Sequence, residues 1–132
     1  MVKEYLREIA HESIGKRVDL SYAFIFKDPE TQEVLGVARN LTDLLIHLEK
    51  VDIRSLRYHV YRTATQALDG SPNVEHPRSD IALWIQYVLG DDELATKIWN
   101  LREIVDDQEL REAVLKVIQE RHDELKAVLT ES

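Results

Sequence analysis

The sequence predicts a mostly helical α+β fold in which a short β-hairpin packs on a domain of five or six helices. Three observations carry this. The apolar period runs near 3.6 residues, drops to 2 between residues 18 and 38, and returns to 3.6 for the rest of the chain. The 132 residues suit one domain, 1–132, with a single core. No repeat, low-complexity tract or linker divides it.

The elements follow in order. Val2, Tyr5, Leu6 and Ile9 share a helical face, with Gly15 placed to end it. Val18, Leu20, Tyr22, Phe24 and Phe26 alternate as a strand does, Asp28-Pro29-Glu30-Thr31 supplies a turn, and Val34–Ala38 returns as the second strand. Asn40 caps a helix carrying Leu41, Leu44, Leu45, Leu48 and Val51. Asp52 opens another, lined by Ile53, Leu56, Val60 and Ala64.

Residues 69–79, with Pro72 and Pro77, have the composition of a loop. Ser79 or Asp80 then caps a helix bearing Ile81, Leu83, Trp84, Ile85 and Val88, ended by Gly90. Asp91 or Asp92 starts the next, with Leu94, Ala95, Ile98, Leu101 and Val105 on one face. Asp106 and Glu109 have capping-box spacing ahead of the longest helix, whose stripe is Leu110, Val114, Val117, Ile118, Leu125 and Val128. That stripe outruns the preceding helix, so a compact homodimer through 107–129 is one expectation. Cover by the first helix or the hairpin within one chain is the other. Arg121 interrupts the stripe and argues against an extended coiled coil.

Composition excludes several functions. A net charge of −8 opposes a phosphate backbone, and Lys16-Arg17 is the longest basic cluster, so no nucleic-acid partner is expected. The absence of cysteine removes thiolate nucleophiles, disulfides and most structural zinc sites. Charges throughout Met1–Glu8 do not suit the apolar core of a signal peptide, and no run approaches the ~18 apolar residues of a membrane span. The expectation is a soluble, cytoplasmic protein with no membrane partner.

No catalytic motif is present. Ser13, Ser21, Ser55, Ser71 and Ser79 lack a neighbouring base or a Gly-x-Ser-x-Gly elbow, and Gly36 and Gly70 form no phosphate loop. Asp91-Asp92-Glu93 and Asp106-Asp107 are accounted for as helix starts. His59, His76 and Asp80 are metal-ligand types, but His11, His47 and His122 are scattered on otherwise amphipathic segments, so neither metal nor cofactor is expected. Trp84 and Trp99, on apolar helix faces, read first as core. The exception is the run Arg57, Tyr58, His59, Tyr61 and Arg62. Arginine beside aromatic rings recognises planar or anionic groups and dominates interfaces. With His76, Arg78, Asp80 and Trp84 these residues make the candidate binding surface.

Three blocks resemble one family: Val51–Arg62 with its Tyr58-His59-Val60-Tyr61 core, Ser71-Pro72 leading to Ser79–Ile85 with Asp80 and Trp84, and Leu89–Ala95. Gly36–Leu41 and the leucine-rich helix after it extend the likeness over residues 20–125. The family is an uncharacterised bacterial and archaeal domain of unknown function, sometimes found beside sugar-active enzymes. Some relatives carry a second histidine where this chain has Tyr61, a departure that removes a His-x-His metal pair here. The resemblance implies a fold and a site location but no reaction. The function expected is a small non-catalytic binding, regulatory or protein-interaction module. The alternative is a small enzyme or binding protein for an anionic metabolite, a sugar phosphate or nucleotide, with His59 as acid/base and Arg57 or Arg62 as anion clamp.

Overall fold

A computed structural model describes residues 2–66 and 74–130. Six α-helices and two antiparallel two-stranded sheets are present among them: α1 (Val2–Ser13), β1 (Phe24–Lys27), β2 (Val34–Ala38), α2 (Leu41–Lys50), α3 (Ile53–Val60), β3 (Arg62–Gln66), β4 (Val74–Arg78), α4 (Asp80–Trp84), α5 (Asp92–Trp99) and α6 (Asp107–Thr130). The mostly helical α+β architecture is as expected, with one hairpin more.

The caps follow from short polar side chains. Asn40, Asp52, Ser79 and Asp91 each accept a backbone N–H from the first turn of α2, α3, α4 and α5, satisfying donors that a helix start leaves orphaned. Gly90 ends the segment after α4 at φ 75°, a left-handed conformation that glycine adopts without Cβ strain. Between them, Ile85–Leu89 widens into a π-helical turn.

α6 is the spine. Leu110, Val114, Ile118, Leu125 and Val128 are buried, and α1 and α2 pack along them with α3 and α5 beside. The stripe is therefore covered within one chain and supplies no reason of its own for a second copy. Arg121 sits in it, buried, with its fork on both carboxylate oxygens of fully buried Asp91 at 2.8 and 3.0 Å. It pins the start of α5 to α6. Burial opposes its charge, but the hydrogen bond and charge of Asp91, with Glu124, raise its pKa further.

Three sequence expectations change. The strand begins at Phe24 rather than Val18: Leu20–Tyr22 forms a 3₁₀ turn closed by Tyr22 N–H to the Asp19 carbonyl. Leu20 and Tyr22, counted as inward by alternation, are each 64% exposed. The face continued to Ala64 ends at Val60, because Arg62–Gln66 leaves the helix to pair with Val74–Arg78, from Arg62 opposite Arg78 to Gln66 opposite Val74. Thr63 and Thr65 are the β-branched signal for that strand, and Pro77 belongs to β4 rather than a loop. The Ser71-Pro72 turn lies outside the described residues. Lastly, α5 stops at Trp99 and Leu101–Ile104 continues as turns, leaving Val105 87% exposed.

Candidate binding groove

The groove is organised by α3. Ser55 and His59, four residues apart, lie on one buried face, and both grasp the backbone of Lys27 at the end of β1. The Ser55 hydroxyl donates to the Lys27 carbonyl at 2.8 Å, and the Lys27 N–H donates to His59 Nε2 at 3.0 Å. Because Nε2 must accept, the ring proton of a neutral imidazole is on Nδ1. Nδ1 lies 2.8 Å from Asp80 Oδ2 and donates to it. Phe24, Phe26 and Tyr58 set ring edges against the same imidazole at centroid distances of 5.1, 5.8 and 5.0 Å.

Asp80, in the first turn of α4, is the charge centre. Arg62 Nη1 lies 2.9 Å from its Oδ2 and Arg78 Nε 2.9 Å from its Oδ1. Oδ1 nevertheless has no hydrogen-bond partner, so the Arg78 contact is an ion pair by distance alone. Burial pushes the carboxyl up, but the His59 hydrogen bond and the charges of Arg62 and Arg78 outweigh it and hold the group below the usual carboxylate range. Arg62 also lies over the Tyr58 ring, 4.1 Å from its centroid, which fixes the guanidinium plane. β3 and β4 bring Arg62 and Arg78 together as cross-strand partners.

The resulting groove has a volume of about 490 Å³. Tyr58, His59, Arg62, Arg78, Asp80 and Trp84 line it, six of the nine residues singled out by sequence, with Ile25, Lys27, Leu83 and Tyr87 among the others. Trp84 is core as expected, 8% exposed, with its indole N–H spent on the Tyr22 carbonyl at 2.7 Å. Arg57 lies elsewhere: it bonds Asp107 and the carbonyls of Ile104 and Val105, bracing the turn before α6. Tyr61, at the end of α3, turns toward Trp99 with centroids 5.6 Å apart. The backbone of His76 is in β4 opposite Ala64, and its side chain lies outside the described residues.

Tyr87 and Lys27 entered only with the structure. Tyr87 had a signal, being three residues beyond Trp84 on a helical path. Lys27 had none, since its place depends on β1 docking against α3. Among the described residues no group of three or more His, Asp or Glu could hold a metal ion, and no helix is long and apolar enough to cross a membrane.

Comparison with protein-family models matches residues 21–131 to a family of unknown function, DUF5752. The chain belongs to that family. The match spans the hairpin, both arginine-bearing strands and all of α2 to α6, so the whole groove lies inside the family domain. Searches of the curated proteins and of the solved structures find no match.

Proposed function

We propose that this domain is a non-catalytic binding module and that the groove between β1, α3 and α4 is its partner surface. The observation supporting this is the saturation of His59. Its one lone pair accepts from Lys27 and its one proton is given to Asp80, so the neutral ring has nothing left to exchange with a substrate. Asp80 is held ionised by two arginines and the imidazole, which makes it a poor proton donor near neutral pH. What remains open is recognition chemistry: the guanidinium of Arg78, 43% exposed, and the ring of Tyr87, 76% exposed.

The rival enzyme requires His59 to release one of its two partners; of its two candidate clamps, Arg57 is occupied far from the groove, while Arg62 lines it and is paired with Asp80. The deciding experiment is amide NMR of the labelled protein titrated with a panel of sugar phosphates, nucleotides and carboxylates, with the ligand's own spectrum followed over hours. The reading expects movement of groove amides with the ligand unchanged. Conversion of a ligand that moves those amides, abolished in Arg78→Gln, would overturn it.

A further inference from the structure

We infer that the groove takes a small organic phosphomonoester, its phosphate on Arg62 and Arg78 and its apolar body against Tyr87 and Ile25; this rests on the binding reading above. Charge is the first argument. The chain carries −8 overall, yet its groove is lined by three cations, Lys27, Arg62 and Arg78, against one carboxylate, Asp80. With His59 neutral, the local surplus is two positive charges. A dianion neutralises that surplus and a single carboxylate does not.

The two arginines are held side by side on Asp80, and each meets it through a single nitrogen. Arg62 Nη1 and Arg78 Nε approach the two oxygens of the same carboxylate, and the structure gives no other side-chain contact to their remaining guanidinium nitrogens among the described residues. Each guanidinium therefore has N–H groups left for a ligand lying beside the carboxylate while Asp80 holds it in position. Stacking on Tyr58 means that Arg62 loses little freedom when a ligand arrives. Two cations held adjacent, with nitrogens to spare beyond Asp80, suit a single doubly charged head better than the spaced carboxylates of an acidic peptide.

Size and the apolar wall define the rest. A volume of about 490 Å³ exceeds the need of a bare phosphate and lies within the range of small-molecule sites. Ile25 is 40% exposed and Tyr87 76%, a pair of apolar surfaces with no function in the core. Trp84 offers only carbon, its N–H being occupied.

Calorimetry at constant ionic strength with phenyl phosphate, inorganic phosphate, benzoate and a tetraglutamate peptide tests this. Phenyl phosphate binds roughly tenfold or more tightly than phosphate or benzoate. Arg78→Gln weakens phenyl phosphate by roughly 10- to 100-fold, as loss of a charge-assisted contact does, with a melting temperature within about 2 °C of the parent. Tyr87→Ala weakens phenyl phosphate and leaves inorganic phosphate unchanged. Equal binding of benzoate, tighter binding of the peptide, no binding of either phosphate, or indifference to Arg78→Gln each overturns the inference. If benzoate or the peptide alone moves the groove amides, the binding module stands and only the phosphomonoester falls. If phenyl phosphate is hydrolysed and Arg78→Gln abolishes this, the non-catalytic reading itself falls.

Discussion

Replacing His59 with alanine should unfold the protein more readily rather than merely silence a site. The imidazole is 4% exposed and serves two partners, so its removal has two main costs. The Lys27 N–H loses its acceptor, worth about 1–3 kcal/mol for a buried donor left unpaired. Asp80 loses a charge-assisted hydrogen bond worth about 1.5–3 kcal/mol, though Arg62 and Arg78 still balance its charge. The two share one network and do not add fully, which puts the loss at about 4 kcal/mol. For a domain of this size that is a fall of ~10–20 °C in Tm. Differential scanning calorimetry of His59→Ala beside Arg78→Gln checks it, the second being an exposed-rim change expected to cost less than about 1 kcal/mol. A Tm within about 2 °C of the parent for His59→Ala would show that the imidazole is not the structural link described, and would return it to the pool of residues free for chemistry.

Asp80 gives a pH signature. Its folded pKa is lowered, so its contribution is present above the ordinary carboxylate value and is lost as pH falls through the lower, folded one. Asp80→Asn should therefore be less stable than the parent at pH 6, with the gap in urea midpoint closing below about pH 4; a gap constant with pH refutes the assignment. Arg121→Met strands fully buried Asp91 without its partner and should cost about 3–5 kcal/mol in chemical denaturation. Adding Asp91→Ser, which keeps the α5 cap, should restore most of that, and failure to do so would mean that the pair is not the source of the loss. Gly36→Ala places a Cβ 2.8 Å from His47 Nδ1 and should cost about 1–2 kcal/mol, recovered by His47→Ala; no recovery would place the strain elsewhere.

What the sequence alone determined is whatever depends on neighbours along the chain. The caps at Asn40 and Asp52, those at Ser79 and Asp91 to within one residue, the stop at Gly90, the β1–β2 hairpin and the stripe of α6 are local, set by backbone hydrogen-bond needs and apolar period. The stretch from Arg57 to Arg62 was legible as chemically unusual for the same reason, and its Tyr58, His59 and Arg62 line one groove with Arg78, Asp80 and Trp84. Local signals could not say which of those residues meet. Arg57 and Tyr61 share α3 and its end with Tyr58 and His59, yet one braces the turn before α6 and the other faces Trp99. The second hairpin escaped because its strand signal is two threonines next to a proline-bearing stretch. Only tertiary structure could show that His59 is spent: Lys27 is 32 residues away and Asp80 is 21, and contacts at that distance are chosen by how β1 and α4 pack on α3.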